Sequence, residues 1–199
     1  KRQTNLTNLD RDIPADSICR GHTSTMPDTR FPTPPDRMTQ TDFMECFGGI
    51  YEHSPWVAAA LWEEGLGPED EKLAHFAARM RGVVDVAPHE KRLALLRAHP
   101  ELAGKLAVAD GLTAESKSEQ AGAGLDRCTP AEFARFTELN AHYSDSFGHP
   151  FIIAVKGLDR AAILDAFERR IGNDAETEFG IAVGQVHRIA LLRLESLCD

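Results

Sequence analysis

From residue 38 onward, the apolar periodicity repeats with the spacing of an α-helix almost everywhere, and only one short run suits a β-strand. That imbalance constrains the fold more than any other feature. A lone strand has no ladder to join, and each helical stripe needs another helix to cover it. The exception is "PFIIAV", Pro150 to Val155, a β-branched apolar run. With no second strand pattern to pair with it, it is expected to be a buried extended segment or the start of a helix.

The helices are punctuated by residues with a mechanical role. Ser54-Pro55 offers a hydroxyl cap before a first-turn proline, with Gly65 as a stop. Pro68 opens a segment whose Leu73, Phe76, Ala77 and Met80 share one face, ending near Gly82, and Pro88 opens another with Leu93 and Leu96 inward. Thr129-Pro130-Ala131-Glu132 has capping-box spacing, and Phe133, Phe136, Tyr143 and Phe147 continue its stripe to a stop near Gly148. Asp159 caps a helix through Ile163 and Phe167 to Gly172, and Asn173 or Asp174 opens a long final one. The expected fold class is all-α, a single-domain bundle of about seven or eight helices.

Residues 1–37 stand apart. They hold five of the eleven prolines and no hydrophobic periodicity, which reads as an N-terminal tail or extended arm before a helical domain over 38–199. A start without Met suggests processing, with Met26 or Met38 as natural starts, and no signal-peptide centre is visible. The chain of 199 residues carries a formal charge of −9 and no basic stripe, which argues against a nucleic-acid partner. No apolar run approaches the ~20 residues that span a bilayer, so no membrane partner is expected. Cysteines 19, 46, 128 and 198 are scattered without a CxxC pair, which suits a reducing cytoplasm and neither zinc nor a disulfide framework.

Three places break the helical pattern. On the last helix the stripe Phe179, Ala182, Val186, Ile189 steps next onto Arg193, so an arginine lies on the inward face. It is half of a structural ion pair, an anion-binding group in a pocket, or a side chain whose head snorkels out at the helix end. Arg188 falls off the stripe and reads as solvated. Thr113 caps a helix that sets Ser116, Glu119, Gln120 and Ala123 on one side. That face is either solvated or a ligand wall, and the small residues of "AGAG", Ala121 to Gly124, favour close approach. His99 stands before Pro100, which ends its helix and projects an imidazole from the terminus. Imidazole titrates near neutrality and suits proton transfer, although a lone histidine more often serves structure than catalysis.

Other chemistry finds no support in the sequence. HExxH and GxSxG are absent, as are Walker and Rossmann phosphate loops, and His142 with His149 or His89 with Glu90 lacks metal-ligand spacing. Cys46 and Cys128 have no nearby histidine pattern that would make them nucleophiles.

Taken together, "FGGIYEHSPW" (Phe47 to Trp56), "HPELAGK" (His99 to Lys105), "LTAESKSEQAGAGLD" (Leu112 to Asp126), "FGHPFIIAVKG" (Phe147 to Gly157) and "RIALLRL" (Arg188 to Leu194) resemble the 2-oxo-4-hydroxy-4-carboxy-5-ureidoimidazoline (OHCU) decarboxylases of urate degradation. The motifs follow the family order over roughly residues 39 to 197. The resemblance implies an all-α homodimer that needs no cofactor or metal and releases CO2 from OHCU to give (S)-allantoin. It implies His99 as catalytic acid/base, with Glu119 and Arg193 as the other catalytic positions. Pro100, Ser116, Lys117, Ser118, Glu119, Gln120, Phe151, Ile152, Ile153, Ala154 and Val155 would line the substrate site. The chain ends "LCD", without the peroxisomal address of some eukaryotic relatives, so a cytoplasmic location is expected.

Two readings compete with this one: a binding or regulatory module in which His99, Glu119 and Arg193 form a structural network, and a cofactor-free enzyme acting on another ureido-imidazole compound. Convergence of those side chains on one cavity, without satisfying one another completely, distinguishes a site from a network.

Overall fold

The computed structural model describes residues 28–103 and 113–198. The tail through residue 27, Cys19, and Lys105 of the "HPELAGK" motif lie outside those residues. Among the described residues there are eight α-helices: α1 (Gln40–Phe47), α2 (Trp56–Glu64), α3 (Leu73–Asp85), α4 (His89–Arg97), α5 (Ala114–Gly122), α6 (Pro130–Phe147), α7 (Arg160–Arg170) and α8 (Ala175–Ser196).

The caps act as their chemistry requires. The hydroxyls of Thr39, Thr113 and Thr129 and the carboxylates of Asp159 and Asp174 each accept a backbone N–H in the first turn of their helices. At Thr129 the capping box is complete, because the Glu132 carboxylate accepts the Thr129 N–H at 2.8 Å. Gly148 ends α6 at φ 70°, a left-handed conformation that suits glycine.

Four local expectations are corrected. Ser54 does not cap α2 through its hydroxyl: Pro55 is the N-cap residue, without a side-chain bond. Pro68 begins a short 3-10 turn, Pro68–Glu71, and α3 starts only at Leu73. Gly82 does not end α3, which tolerates it and runs to Asp85, before the turn imposed by Pro88. In α4 the buried pair is Leu95 and Leu96, and Leu93 is half-buried. Adjacent residues point ~100° apart, so the covered arc between Leu95 and Leu96 lies to one side of Leu93 and is extended by His99.

Two apolar clusters form the interior. One gathers side chains of α1 to α4 and α8, including Phe43, Phe47, Phe76, Leu96 and Val186. The other joins α6 and α7 to residues around α5, including Phe136, Tyr143, Ile163 and Phe167. Residues 28–37, read from sequence as the end of an arm, contribute to the first: Phe31 is buried, edge-on to Phe47 and Phe76 at 5.3 and 5.2 Å.

The segment from Pro150 to Val155 is extended and joins no strand. Alternate side chains of an extended chain point to opposite sides, and Ile152 accordingly enters the first cluster while Phe151 and Val155 enter the second. Phe151 stacks on Phe167 at 3.8 Å. Arg170 holds the segment from behind, donating to the Ile152 carbonyl at 2.7 Å and lying over the Phe151 ring. Its charge is met by Glu178, fully buried, which also accepts from Tyr143 and Asn173.

Candidate active site

The seam between the two clusters opens into a small cavity. It is lined by His99 and Pro100 after α4, Ser116, Glu119 and Gln120 on α5, Phe151, Ile152, Ile153 and Val155 of the extended segment, and Arg193 on α8. Leu102 and Ile189 complete it. Four segments separated in sequence therefore meet at one place.

His99 is 8% exposed. Its Nδ1 lies 2.9 Å from the Leu95 carbonyl, which can only accept, so Nδ1 carries the proton. Burial pushes its pKa down to about 4, against the opposing backbone hydrogen bond and the Glu52 charge. The ring is consequently neutral at pH 7 and presents Nε2 as a lone pair. The near-neutral titration expected from sequence gives way to a neutral imidazole whose tautomer the backbone fixes.

The loop after His99 is held by two amides. Asn140 donates to the Leu102 carbonyl at 2.9 Å, and the Ala103 N–H donates to Gln120 Oε1 at 3.3 Å. Ala103 adopts φ 49°, uncommon without glycine, and these bonds hold it there. With its oxygen so engaged, Gln120 offers a ligand its NH2 group, a donor.

Arg193 reaches the cavity from α8 and is tied on every edge. Its Nε and Nη2 donate to Glu119 Oε1 and Oε2 at 2.8 and 3.0 Å, a bidentate pair. Nη2 also donates to the Ser116 hydroxyl at 3.2 Å. Nη1 lies 2.7 Å from Glu52 Oε2, a charge contact without hydrogen-bond alignment. Burial alone would lower the arginine's pKa, but the two carboxylates raise it, and the guanidinium stays charged.

Glu52 is the residue that sequence reasoning missed. Its side chain is 1% exposed, and its Oε1 accepts the hydroxyls of Thr113 and Ser116, each at 2.9 Å. Burial would raise its pKa, but the Arg193 charge and these hydrogen bonds outweigh it and hold the carboxyl below its ordinary value. It lies inside "FGGIYEHSPW", and a second signal was available: a guanidinium on an inward stripe needs a buried counter-charge.

Several expected lining residues fall elsewhere. Lys117 is exposed on the far side of α5 and lines neither this cavity nor its neighbour. Ser118 and Ala154 line a larger adjoining cavity. Ser116 reaches the inner one, but its hydroxyl is spent between Glu52 and Arg193. The glycine of "AGAG" with a structural task is Gly124, left-handed at φ 73°, where a Cβ would meet Arg160 Nη1 at 2.9 Å, so it makes a turn and not a ligand approach. Arg188 is exposed, as expected.

The sequence matches the family model described as OHCU decarboxylase over residues 36–195. The chain belongs to the OHCU decarboxylase family. A decarboxylase of that name from Halalkalicoccus jeotgali is 43% identical over 155 residues, covering 78% of this chain and 84% of the relative. One from Haloferax volcanii is 41% identical over 160 residues, covering 80% and 90%. Among solved structures, a crystal structure of (S)-allantoin synthase superposes with a TM-score of 0.65 at 33% identity, covering 83% of this chain and 53% of that one. Among the described residues, no helix is long and apolar enough to cross a membrane. Within this family fold, "HPELAGK" supplies His99, "LTAESKSEQAGAGLD" supplies the α5 face, and "RIALLRL" supplies Arg193.

Proposed function

We propose that this protein decarboxylates OHCU to (S)-allantoin and CO2 without a cofactor, with His99, Glu119 and Arg193 as its catalytic groups. The observation that carries the reading is the meeting of a neutral imidazole, with one nitrogen still free, and an Arg–Glu pair at a cavity with an apolar wall.

The chemistry needs little else. When the bond from the ring carbon to the carboxylate breaks, its electron pair forms a double bond to the neighbouring ureido-bearing carbon while the C=N electrons move onto the ring nitrogen. The hydroxyl then gives up its proton to become the carbonyl, the ring nitrogen is protonated, and the ureido-bearing carbon takes a proton to give allantoin. The substrate is its own electron sink, so the enzyme has only to orient it and move protons. His99 Nε2 accepts the substrate's hydroxyl or ring proton. Glu119 takes the ureido and ring N–H groups, and the Gln120 NH2 group donates to a carbonyl. Together they fix the face that is protonated and thus the handedness of the product.

In this reading Arg193 favours charge developing on the ring oxygens, with the departing carboxylate against Phe151, Ile152 and Ile153. A guanidinium gripping that carboxylate would favour the ground state, and only interactions stronger in the transition state accelerate the reaction.

The reading includes a homodimer, which the resemblance implies and light scattering at micromolar protein would test. It includes a cytoplasmic setting, supported by the free thiols of Cys46 and Cys128. The activity is tested by generating OHCU from urate in situ, adding the protein and following ultraviolet decay. Decay at the spontaneous rate would reject it.

A further inference from the structure

The Arg193–Glu119 pair presents a difficulty for any ligand. Every edge of the guanidinium is occupied: Glu119 takes Nε and Nη2, Ser116 shares Nη2, and Glu52 takes Nη1, which also lies 3.5 Å from the carbonyls of Gly49 and Ile50. The inner cavity measures about 30 Å³, room for a water or two. Beside it lies a second cavity of about 600 Å³, lined among others by Ser118, Ala154 and Lys156. Glu119, Val155, Ile189 and Arg193 line both and therefore stand between them.

The two carboxylates on Arg193 are not equivalent. Glu52 is buried and tethered by two hydroxyls, so it cannot leave. Glu119 is 31% exposed, and its hydrogen bonds at these oxygens run to Arg193. A carboxylate in mid-helix can turn by side-chain rotation toward the larger cavity. We infer that substrate binds by exchange: an anionic oxygen of the ligand takes the Nε/Nη2 edge of Arg193 from Glu119, while Glu52 stays on Nη1 as fixed counter-ion. Release of Glu119 joins the two cavities and delivers its carboxylate to the substrate's N–H groups. Glu52 is then a positioning residue that acts through Arg193. Without it, each exchange would pass through a bare buried guanidinium, which is costly.

This inference rests on the proposed function and deepens it. The test compares hydantoin, hydantoin-5-acetate and barbiturate by calorimetry on wild type and Glu119→Gln, a substitution at a partly exposed position. The first probe is neutral, the second carries its charge on a pendant carboxylate, and the third carries it on ring oxygens. With the competing carboxylate gone, an anion that uses the Arg193 edge binds about tenfold tighter, while hydantoin changes by less than about twofold. Barbiturate is the expected beneficiary, because Arg193 serves ring-borne charge. Tightening of hydantoin-5-acetate alone would support exchange with the carboxylate as the entering group. Tightening of neither anion overturns the inference. A crystal structure of wild type with the bound anion gives the same decision without a variant: Glu119 turned into the larger cavity with Glu52 on Nη1 supports exchange, and Glu119 still paired in both oxygens overturns it. A protein that turns over OHCU yet fails these tests loses the exchange alone. One that does not turn over OHCU loses the proposed function, whatever the probes do.

Discussion

Glu52 and Arg193 lie 2.7 Å apart beneath the cavity, and this contact is why an arginine can occupy the apolar stripe of the last helix. One buried carboxylate anchors the guanidinium from below while a second, Glu119, meets it from the cavity side. Glu52→Ala removes the anchor and two hydroxyl acceptors together, and is expected to destabilise the protein by about 3 kcal/mol. Glu52→Gln keeps an acceptor for Thr113 and Ser116 and should lose less. Urea denaturation of both variants measures the difference; equal losses would mean that the hydroxyls do not matter.

The pH dependence follows from His99. Its folded pKa, about 4, lies below the ordinary 6.5, so burial favours the neutral ring. A base of this kind keeps kcat/KM level from neutrality down to about pH 5 and loses it as the ring protonates near pH 4. The associated stability is complete above about pH 6.5 and is lost as the pH falls toward 4. Rates corrected for spontaneous decay, and thermal melts over the same range, check both. A rate that climbs as pH falls toward 4 would instead mark His99 as an acid.

Arg193→Lys keeps the charge and loses the planar fork that meets two oxygens at once. Loss of the bidentate geometry should lower kcat/KM by about ten- to a hundredfold. Unchanged kcat and KM would remove Arg193 from the chemistry.

Away from the cavity, Arg170→Gln strands the fully buried Glu178 and frees the Ile152 carbonyl. Leaving a buried carboxylate without its cation should cost about 3–5 kcal/mol. A melting temperature close to wild type would show that Tyr143 and Asn173 suffice.

Much of this architecture could be read in the sequence because its signals are local. Thr129, Asp159 and Asp174 bond to N–H groups within their own first turns, and Gly65 and Gly148 stop the chain where they stand. The inward step onto Arg193 was equally legible, since helix periodicity fixes direction. Glu52 was not. It sits in the irregular turn between α1 and α2, where no period assigns faces, beside Tyr51, whose hydroxyl instead meets His187 at 2.9 Å. Its role depends on an arginine at the other end of the chain. The electrostatics of His99 were hidden for the same reason: the residue type suggests titration near neutrality, and only the packing around it reveals a neutral base.

The central claim is that these residues direct the decarboxylation of OHCU as well as hasten it. The most direct measurement is circular dichroism of the allantoin formed when the protein is added to OHCU generated from urate in situ. The account predicts (S)-allantoin in excess, formed well above the spontaneous rate, and a return toward racemic product with His99→Ala. Racemic allantoin at the spontaneous rate with the wild-type protein would contradict it.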